Sequence, residues 1–135
     1  ALLTEGGLML QPYLARVEVD GELSAICFYG RVSHAVQKVP VPGDYRVQDD
    51  HGATDHPVDL TPDQAALFER VLEAAHQVVP GLGGEPLLYA RVDLMWDDAG
   101  ELCVTELELV EPSLFFRHGP DAPARLVDAL CRRLS

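Results

Sequence analysis

The sequence predicts an α+β domain, a mainly antiparallel sheet with two helices packed on it. Three observations carry that expectation. Short apolar runs separated by turn residues recur through the first forty positions. A capped segment from Thr61 has helical spacing, and a second helical pattern closes the chain. Between them, Tyr89-Ala90-Arg91-Val92-Asp93-Leu94-Met95-Trp96 and Glu101 to Ser113 flank Asp97-Asp98-Ala99-Gly100, which reads as a β-hairpin.

In chain order, Leu8 to Leu14 is a short apolar strand ending in Gln11-Pro12; Pro12 has no N–H for a ladder, so the chain leaves the sheet there. Ala15 to Val19 alternates weakly and runs into an Asp20-Gly21 turn. Leu23 to Tyr29 carries little polarity and is expected to be buried on both faces. After a tight connection at Gly30-Arg31, Val32 to Val39 alternates, with Val32, His34, Val36 and Lys38 on one side. Pro40 to Pro57 is polar and rich in Pro, Gly and Asp, with Arg46 its one cation, so a long loop, either functional or disordered, is expected. Thr61-Pro62-Asp63-Gln64 combines a capping box with Pro at the first helical position. The helix is expected to run to Val79 with Leu67, Val71, Ala74, Ala75 and Val78 on one stripe. Gly81 to Pro86 links it to the hairpin, Pro112 to Pro123 is a loop, and Ala124 to Leu134 is a helix with Leu126, Leu130 and Leu134 inward.

The chemistry concentrates on the hairpin. Strand side chains alternate faces, so Arg91, Asp93 and Met95 share one. Leu102, Val104, Glu106, Glu108 and Val110 share a face on the second strand. Arg91, Asp93, Glu106 and Glu108 are then expected together, flanked by Leu107, Leu109 and Val110. Three crowded acids in an apolar setting resist ionisation through desolvation and mutual repulsion. A hard divalent cation removes that cost, and all-oxygen ligands suit Mg²⁺ or Mn²⁺. The plain alternative is a solvated strand face on which Arg91 is an ion-pair partner.

Length and composition narrow the rest. The 135 residues suffice for one domain with a core. With 47% hydrophobic and 24% charged residues the chain is globular. A net charge of −12 argues against nucleic acid or an anionic membrane as a general partner. Cys27, Cys103 and Cys131 have neither CxxC nor zinc spacing, which suits free thiols in a reducing cytoplasm. No run is long enough to span a membrane, and no basic-then-apolar start marks a signal peptide.

From Leu8 to Phe116, and most closely at RVDLMWDDAGELCVTELELVEPS, the order of elements resembles the C-terminal part of the ATP-grasp ligases, such as glutathione synthetases, D-alanine–D-alanine ligases and the D-cycloserine cyclo-ligase. The resemblance implies a C-terminal ATP-grasp lobe. It also implies that Asp93, Glu106 and Glu108 hold Mg²⁺ (or Mn²⁺) against the phosphates of ATP, with Glu108 standing where many members have Asn. Arg91 is similar to the cation that stabilises the acyl-phosphate and tetrahedral intermediates. Gln11, Pro12, Tyr13 and Leu14 resemble the hinge that contacts adenine; the alternative is an ordinary strand end. Glu22 resembles the acid that accepts from the ribose hydroxyls; the alternative is a solvated turn. Lys38 looks like the cation that reaches the phosphates, the alternative being a snorkelling strand-edge Lys. Pro42 to Thr54 resembles the mobile loop that closes over the phosphates and substrate, with Arg46 as its contact. For His34 and His51 an active-site role and a hydrogen-bonded structural one both stand, the structural one being the commoner for a lone His.

The family also has an upstream lobe with phosphate-binding Lys and a glycine-rich loop, and a preceding substrate domain. Only ten residues precede Gln11 and the one Lys is Lys38, so residues 1–135 are expected to be one wall of a nucleotide cleft. The expected function is part of an ATP-dependent ligase joining a small carboxylate to an amine or similar nucleophile through an acyl phosphate, with the isolated chain inactive. The rivals are a non-catalytic metal-binding or interaction module and a two-metal phosphoesterase. The apolar surface meant for the missing lobe is a candidate for homo-oligomer contacts.

Overall fold

The computed structural model describes residues 10–48 and 51–135. Five strands form one sheet in the order β3-β2-β1-β4-β5, antiparallel at each pairing: β1 Glu22–Phe28, β2 Arg31–Val39, β3 Thr54–Pro57, β4 Tyr89–Trp96 and β5 Leu102–Glu108. Three helices accompany them: α1 Val17–Asp20, α2 Pro62–Val78 and α3 Ala122–Leu134. The α+β expectation holds, with one short helix more than the sequence suggested.

The central strand organises the molecule. Every residue of β1 is buried, and the strand pairs with β2 on one side and β4 on the other. Its odd-numbered residues Leu23, Ala25 and Cys27 join Ala90, Val92 and Leu94 of β4 in a core against Phe68 and Leu72 of α2. Its even-numbered residues face the other way. Ile26 and Phe28 there pack with Val36, Phe115, Ala122 and Ala129, under α3. Glu22 and Ser24, nearer the start of the strand, belong to a charged patch instead.

Local chemistry accounts for the boundaries. Tyr29 and Gly30 both take positive φ, 49° and 75°, and close the β1–β2 hairpin with the two-residue turn that such dihedrals favour. At α2, Gln64 N–H donates to Thr61 Oγ1 at 3.2 Å and Thr61 N–H donates to Gln64 Oε1 at 2.9 Å, the capping box expected from sequence. Gly21 (φ 66°) precedes β1, where a Cβ would meet the Lys38 carbonyl oxygen at 2.2 Å, so only glycine fits.

Several expectations are corrected. Leu8 and Met9 lie outside the described residues, and residues 10–14 form no strand. Ala15 to Val19 does not continue as extended chain; α1 forms there, held by an Arg16–Asp20 ion pair one turn apart at 2.6 Å. The loop expected from Pro40 to Pro57 ends early, because Thr54–Pro57 adds β3 to the sheet edge, where a Pro is tolerated. On α2 the buried stripe is Phe68, Leu72 and Ala75, while Val78 is 75% exposed. On α3 it is Ala122 and Ala129 with Leu126 beside them; Leu130 and Leu134 face outward. No helix among the described residues is long and apolar enough to cross a membrane.

Candidate functional site

The hairpin delivers the acids to one face, with a refinement that the alternation of faces does not contain. Asp97 Oδ1 accepts from Ala99 and Glu101 N–H at 2.9 Å each, and Gly100 takes φ 84°, so the turn is a tight Asp-Gly closure. From there Trp96 pairs with Leu102 and Leu94 with Val104, but Asp93 pairs with Glu106. Thr105 is the extra residue of a β-bulge. Its Oγ1–H donates to the Asp93 carbonyl at 3.1 Å. Leu102 and Val104 therefore pair on the face of Trp96 and Leu94, not on that of Glu106 as simple alternation had it. Val110, expected to flank the acids, is 80% exposed.

Past the bulge, Arg91 pairs with Glu108 and Asp93 with Glu106. Carboxylate oxygens of Asp93, Glu106 and Glu108 come within 4.8 Å of one another. Asp93 is fully buried. Arg91 grips it with a fork, Nε at 3.0 Å from Oδ1 and a terminal nitrogen at 2.8 Å from Oδ2. The same guanidinium reaches Glu108, and Glu106 at 3.6 Å. Lys38 arrives from β2, ion-paired with Glu22 and 3.3 Å from Asp93 Oδ2. Neither is the solvated residue of the ordinary alternative, for Lys38 is 7% and Glu22 4% exposed.

Charge here is unbalanced. Glu22, Asp93, Glu106 and Glu108 oppose only Lys38 and Arg91. Burial, and then the Asp93 charge, push the Glu22 carboxyl up to about 7 against the pull of Lys38 and Arg91. Burial and the Glu108 and Asp93 charges raise Glu106 as well. Burial works against the Arg91 charge, yet the Asp93 and Glu108 carboxylates hold its pKa above the usual value. The donor set is hard, all oxygen and over-acidic by two formal charges, which fits one divalent cation of the Mg²⁺ or Mn²⁺ type.

Two cavities flank this cluster. The larger, of about 460 Å³, lies between the segment Gln11, Pro12, Tyr13 and Leu14, the loop residues Tyr45 to Gln48, and a floor that includes Glu22, Met95, Thr105 and Glu106. That volume is in the usual range for a small-molecule site. The ring of Tyr13 meets that of Tyr45 edge-on at 5.9 Å, so the two walls touch. Arg46 lines this cavity, its guanidinium held by Asp44 of the same loop at 2.6 Å. The smaller cavity, of about 270 Å³, is lined by Lys38, Arg91, Glu108, Val47, Gln48, Ser113 and Phe115. The seven cofactor-side and catalytic expectations, Gln11, Tyr13, Leu14, Glu22, Lys38, Arg46 and Arg91, thus all line one cavity or the other.

Elsewhere, His34 is half-buried, its Nε2 3.0 Å from the Leu114 carbonyl and its pKa lowered by burial, as suits a structural histidine. His51 is exposed. Asp55, inside the loop expected from Pro40 to Pro57, instead sits in β3 and is held by Arg117 and His118. Sequence reasoning passed over Gln48, Ser113, Thr105 and Ser24. The hydroxyls had no motif around them; only the sheet brings them to the acids.

The sheet has the fold of an ATP-grasp C-terminal lobe, with the cleft and the acid cluster beside it. In particular, the chain is 35% identical over 145 residues to the cycloserine biosynthesis protein DcsG of Streptomyces lavendulae, a match covering 98% of this chain and 44% of that protein. The crystal structure of D-cycloserine synthetase DcsG matches with a TM-score of 0.76 and 33% identity over 93% of this chain and 42% of that one. Two more distant structures share the fold. The ATP-grasp ligase PsnB, complexed with a phosphomimetic variant of its minimal precursor, Mg and ADP, is 16% identical with a TM-score of 0.54, covering 84% of this chain and 32% of that one. The D-alanine–D-alanine ligase from Bacillus anthracis complexed with ATP is 17% identical with a TM-score of 0.51, covering 82% and 36%. The chain spans less than half the length of each. No protein-family model matches it.

Proposed function

We propose that this chain supplies the metal-binding wall and one side of the nucleotide cleft of an ATP-dependent ligase. The whole enzyme would activate a small carboxylate as an acyl phosphate and join it to an amine or related nucleophile. The observation that carries the proposal is the cluster of Asp93, Glu106 and Glu108 oxygens within 4.8 Å of one another, set between two cavities and backed by Arg91 and Lys38.

The larger cavity suits the nucleoside. Leu14 and Val17 offer an apolar wall for a base, and the backbone of residues 11–13, in no sheet, is the proposed partner of its edge, the Leu14 carbonyl already accepting from Val17 N–H at 3.1 Å. Glu22 on the floor is the acid for the ribose hydroxyls, once Lys38 releases it. Asp93, Glu106 and Glu108 would hold Mg²⁺, which when bound offsets phosphate charge. Lys38, once drawn from its carboxylates, and Arg91 would present positive charge to a transferring phosphoryl group and a developing oxyanion. Arg46, on the loop above, is placed to trade Asp44 for a phosphate or carboxylate. The smaller cavity, lined by Lys38, Arg91 and Glu108 and sharing Val47 and Gln48 with the larger, is the proposed place of the acceptor.

Every cation at the centre is already engaged by a carboxylate. Metal alone must displace Arg91, and nucleotide alone must displace Glu22 or Asp93 from Lys38, so each binds weakly and each helps the other. The isolated chain, one wall of the cleft, is expected to show no ligase turnover. Calorimetric titration of Mg²⁺ with and without ADP checks this. Tighter metal binding in the presence of ADP, lost in Asp93→Asn, is expected; equal affinities, or survival of binding in Asp93→Asn, would place the metal elsewhere.

A further inference from the structure

We infer that Ser24 is a positioning residue of this centre, its hydroxyl taking over one lone pair of the Asp93 carboxylate when Lys38 leaves it, an inference that rests on the metal and nucleotide reading above. Ser24 is completely buried, and its Oγ has no hydrogen-bond partner among the described residues. Such an atom is uncommon, because leaving a buried hydroxyl unpaired is costly while alanine at the same place is not. The other unpartnered buried atom, Glu22 Oε1, is at least ion-paired with Lys38.

The register shows where the hydroxyl lies. Ser24 pairs with Asp93 of β4 on one side and Val36 of β2 on the other. Lys38 pairs with Glu22, two residues before Ser24 on the same face. The Lys38–Asp93 ion pair, 3.3 Å long, therefore crosses β1 diagonally beside Ser24. With the site at rest, Arg91 and Lys38 supply the donors to Asp93 and the hydroxyl is idle.

Ligand binding reverses this. A phosphate draws the Lys38 ammonium toward itself, and a dication on Asp93 repels it. The Asp93 oxygen on the β1 side then loses a donor where no water reaches, since both Asp93 and Ser24 are fully buried. A rotation about one side-chain bond lets Ser24 replace that donor. Being neutral, it does so without adding a positive charge next to the metal. Donors of this kind orient the ligating carboxylate, and their loss typically weakens metal binding by about 10- to 100-fold.

The test is Mn²⁺ titration followed by electron paramagnetic resonance in the presence of ADP, with thermal melting of each ligand-free protein. Ser24→Ala is expected to melt at the parent's temperature or above it, yet to bind Mn²⁺ roughly 10-fold more weakly. Ser24→Thr, which returns the hydroxyl, restores the affinity. Should its added methyl lower the melting temperature, Ser24→Cys makes the comparison with a weak donor of similar size and restores part of the affinity. Unchanged Mn²⁺ affinity in Ser24→Ala overturns the inference, as does a fall in its melting temperature, which would make the hydroxyl structural. Asp93→Asn separates the two levels: if it and the parent behave alike toward Mn²⁺, the metal reading itself has failed and the Ser24 role goes with it.

Discussion

Along β4 the two faces of the sheet are alike in burial and opposite in build. Ala90, Val92 and Leu94 point to α2 and are fully buried, while Arg91 and Asp93 point the other way at 8% and 0% exposure. On the α2 face the buried cluster is apolar, and removal from water is itself the driving force. Beyond the cluster around Ile26 and Phe28, the other face buries Glu22, Asp93, Lys38 and Arg91, where desolvation works against each of them and their mutual arrangement offsets it, while Glu106 stays exposed and Glu108 half-buried beside them. Burial alone thus says little about stabilisation. One face holds the domain together under most conditions; the other is tolerated by the fold and changes with pH, metal and ligand.

Phe68→Ala probes the first face. The ring is fully buried against both β1 and β4 neighbours, and its removal should cost about 4 kcal/mol in urea unfolding. Mn²⁺ affinity of the remaining folded protein should not change. A loss below about 1 kcal/mol would mean that the α2 face is loosely packed and the contrast is overdrawn.

Arg91→Met probes the second. It leaves Asp93 and Glu108 without their closest cation and should cost about 3 kcal/mol. Unlike the Phe68 loss, this one is expected to be recovered by divalent metal, so Mn²⁺ should raise the variant's melting temperature by more degrees than the parent's. Equal shifts would show that Arg91 and the metal do not share the carboxylates.

The faces also differ in pH response. Glu22 ordinarily titrates near 4.5 and in the fold near 7. Between these values the folded protein binds the proton and the unfolded chain does not, so stability is greatest below about 4.5, falls as pH rises to about 7, and is then level. The loss should be on the order of 3 kcal/mol. Glu106, also raised, adds to it in the same direction. Asp55 has a lowered pKa, so its contribution is lost only as pH falls below its usual 3.8, outside this window. Melting curves across this range should slope in the parent and flatten in Glu22→Gln; a parent that gains stability toward pH 7 would refute the assignment.

What the sequence disclosed follows from the same contrast. Period-two alternation was enough to gather Arg91, Asp93, Glu106 and Glu108, and a capping box was enough to start α2 at Pro62. Both are local. That Glu22 and Lys38 join the acids depends on β1 lying between β2 and β4, a matter of topology that no local pattern carries. The β3 strand was hidden because Thr-Asp-His-Pro lacks the apolar alternation of a strand with a buried face, and it needs little, being at the edge. Leu130 and Leu134 misled because α3 lays only its first turns on the sheet. Thr105 was invisible because a bulge leaves the composition of a strand unchanged.

Thr105 gives the finest distinction between the faces. On the α2 side, alignment is set by many apolar contacts, and no single atom decides it. On the charged side, a bulge decides which residues meet, and one hydroxyl bonds the Asp93 carbonyl at 3.1 Å beside it. Thr105→Val keeps the β-branched shape and removes that bond together with the hydroxyl's longer 3.5 Å contact with Glu22 Oε2, for about 1 kcal/mol of stability. The smaller thermodynamic effect should have a disproportionate local consequence. With its carbonyl unpaired, the Asp93–Glu106 pairing loosens, and with it the close approach of the three acids. Mn²⁺ affinity should fall several-fold, while hydrogen exchange at Val92 and Leu94 amides stays as slow as in the parent. If affinity holds while stability falls by the expected amount, backbone pairing alone keeps the acids in place; if neither moves, the hydroxyl bond carries no weight, and the charged face is as robustly aligned as the apolar one.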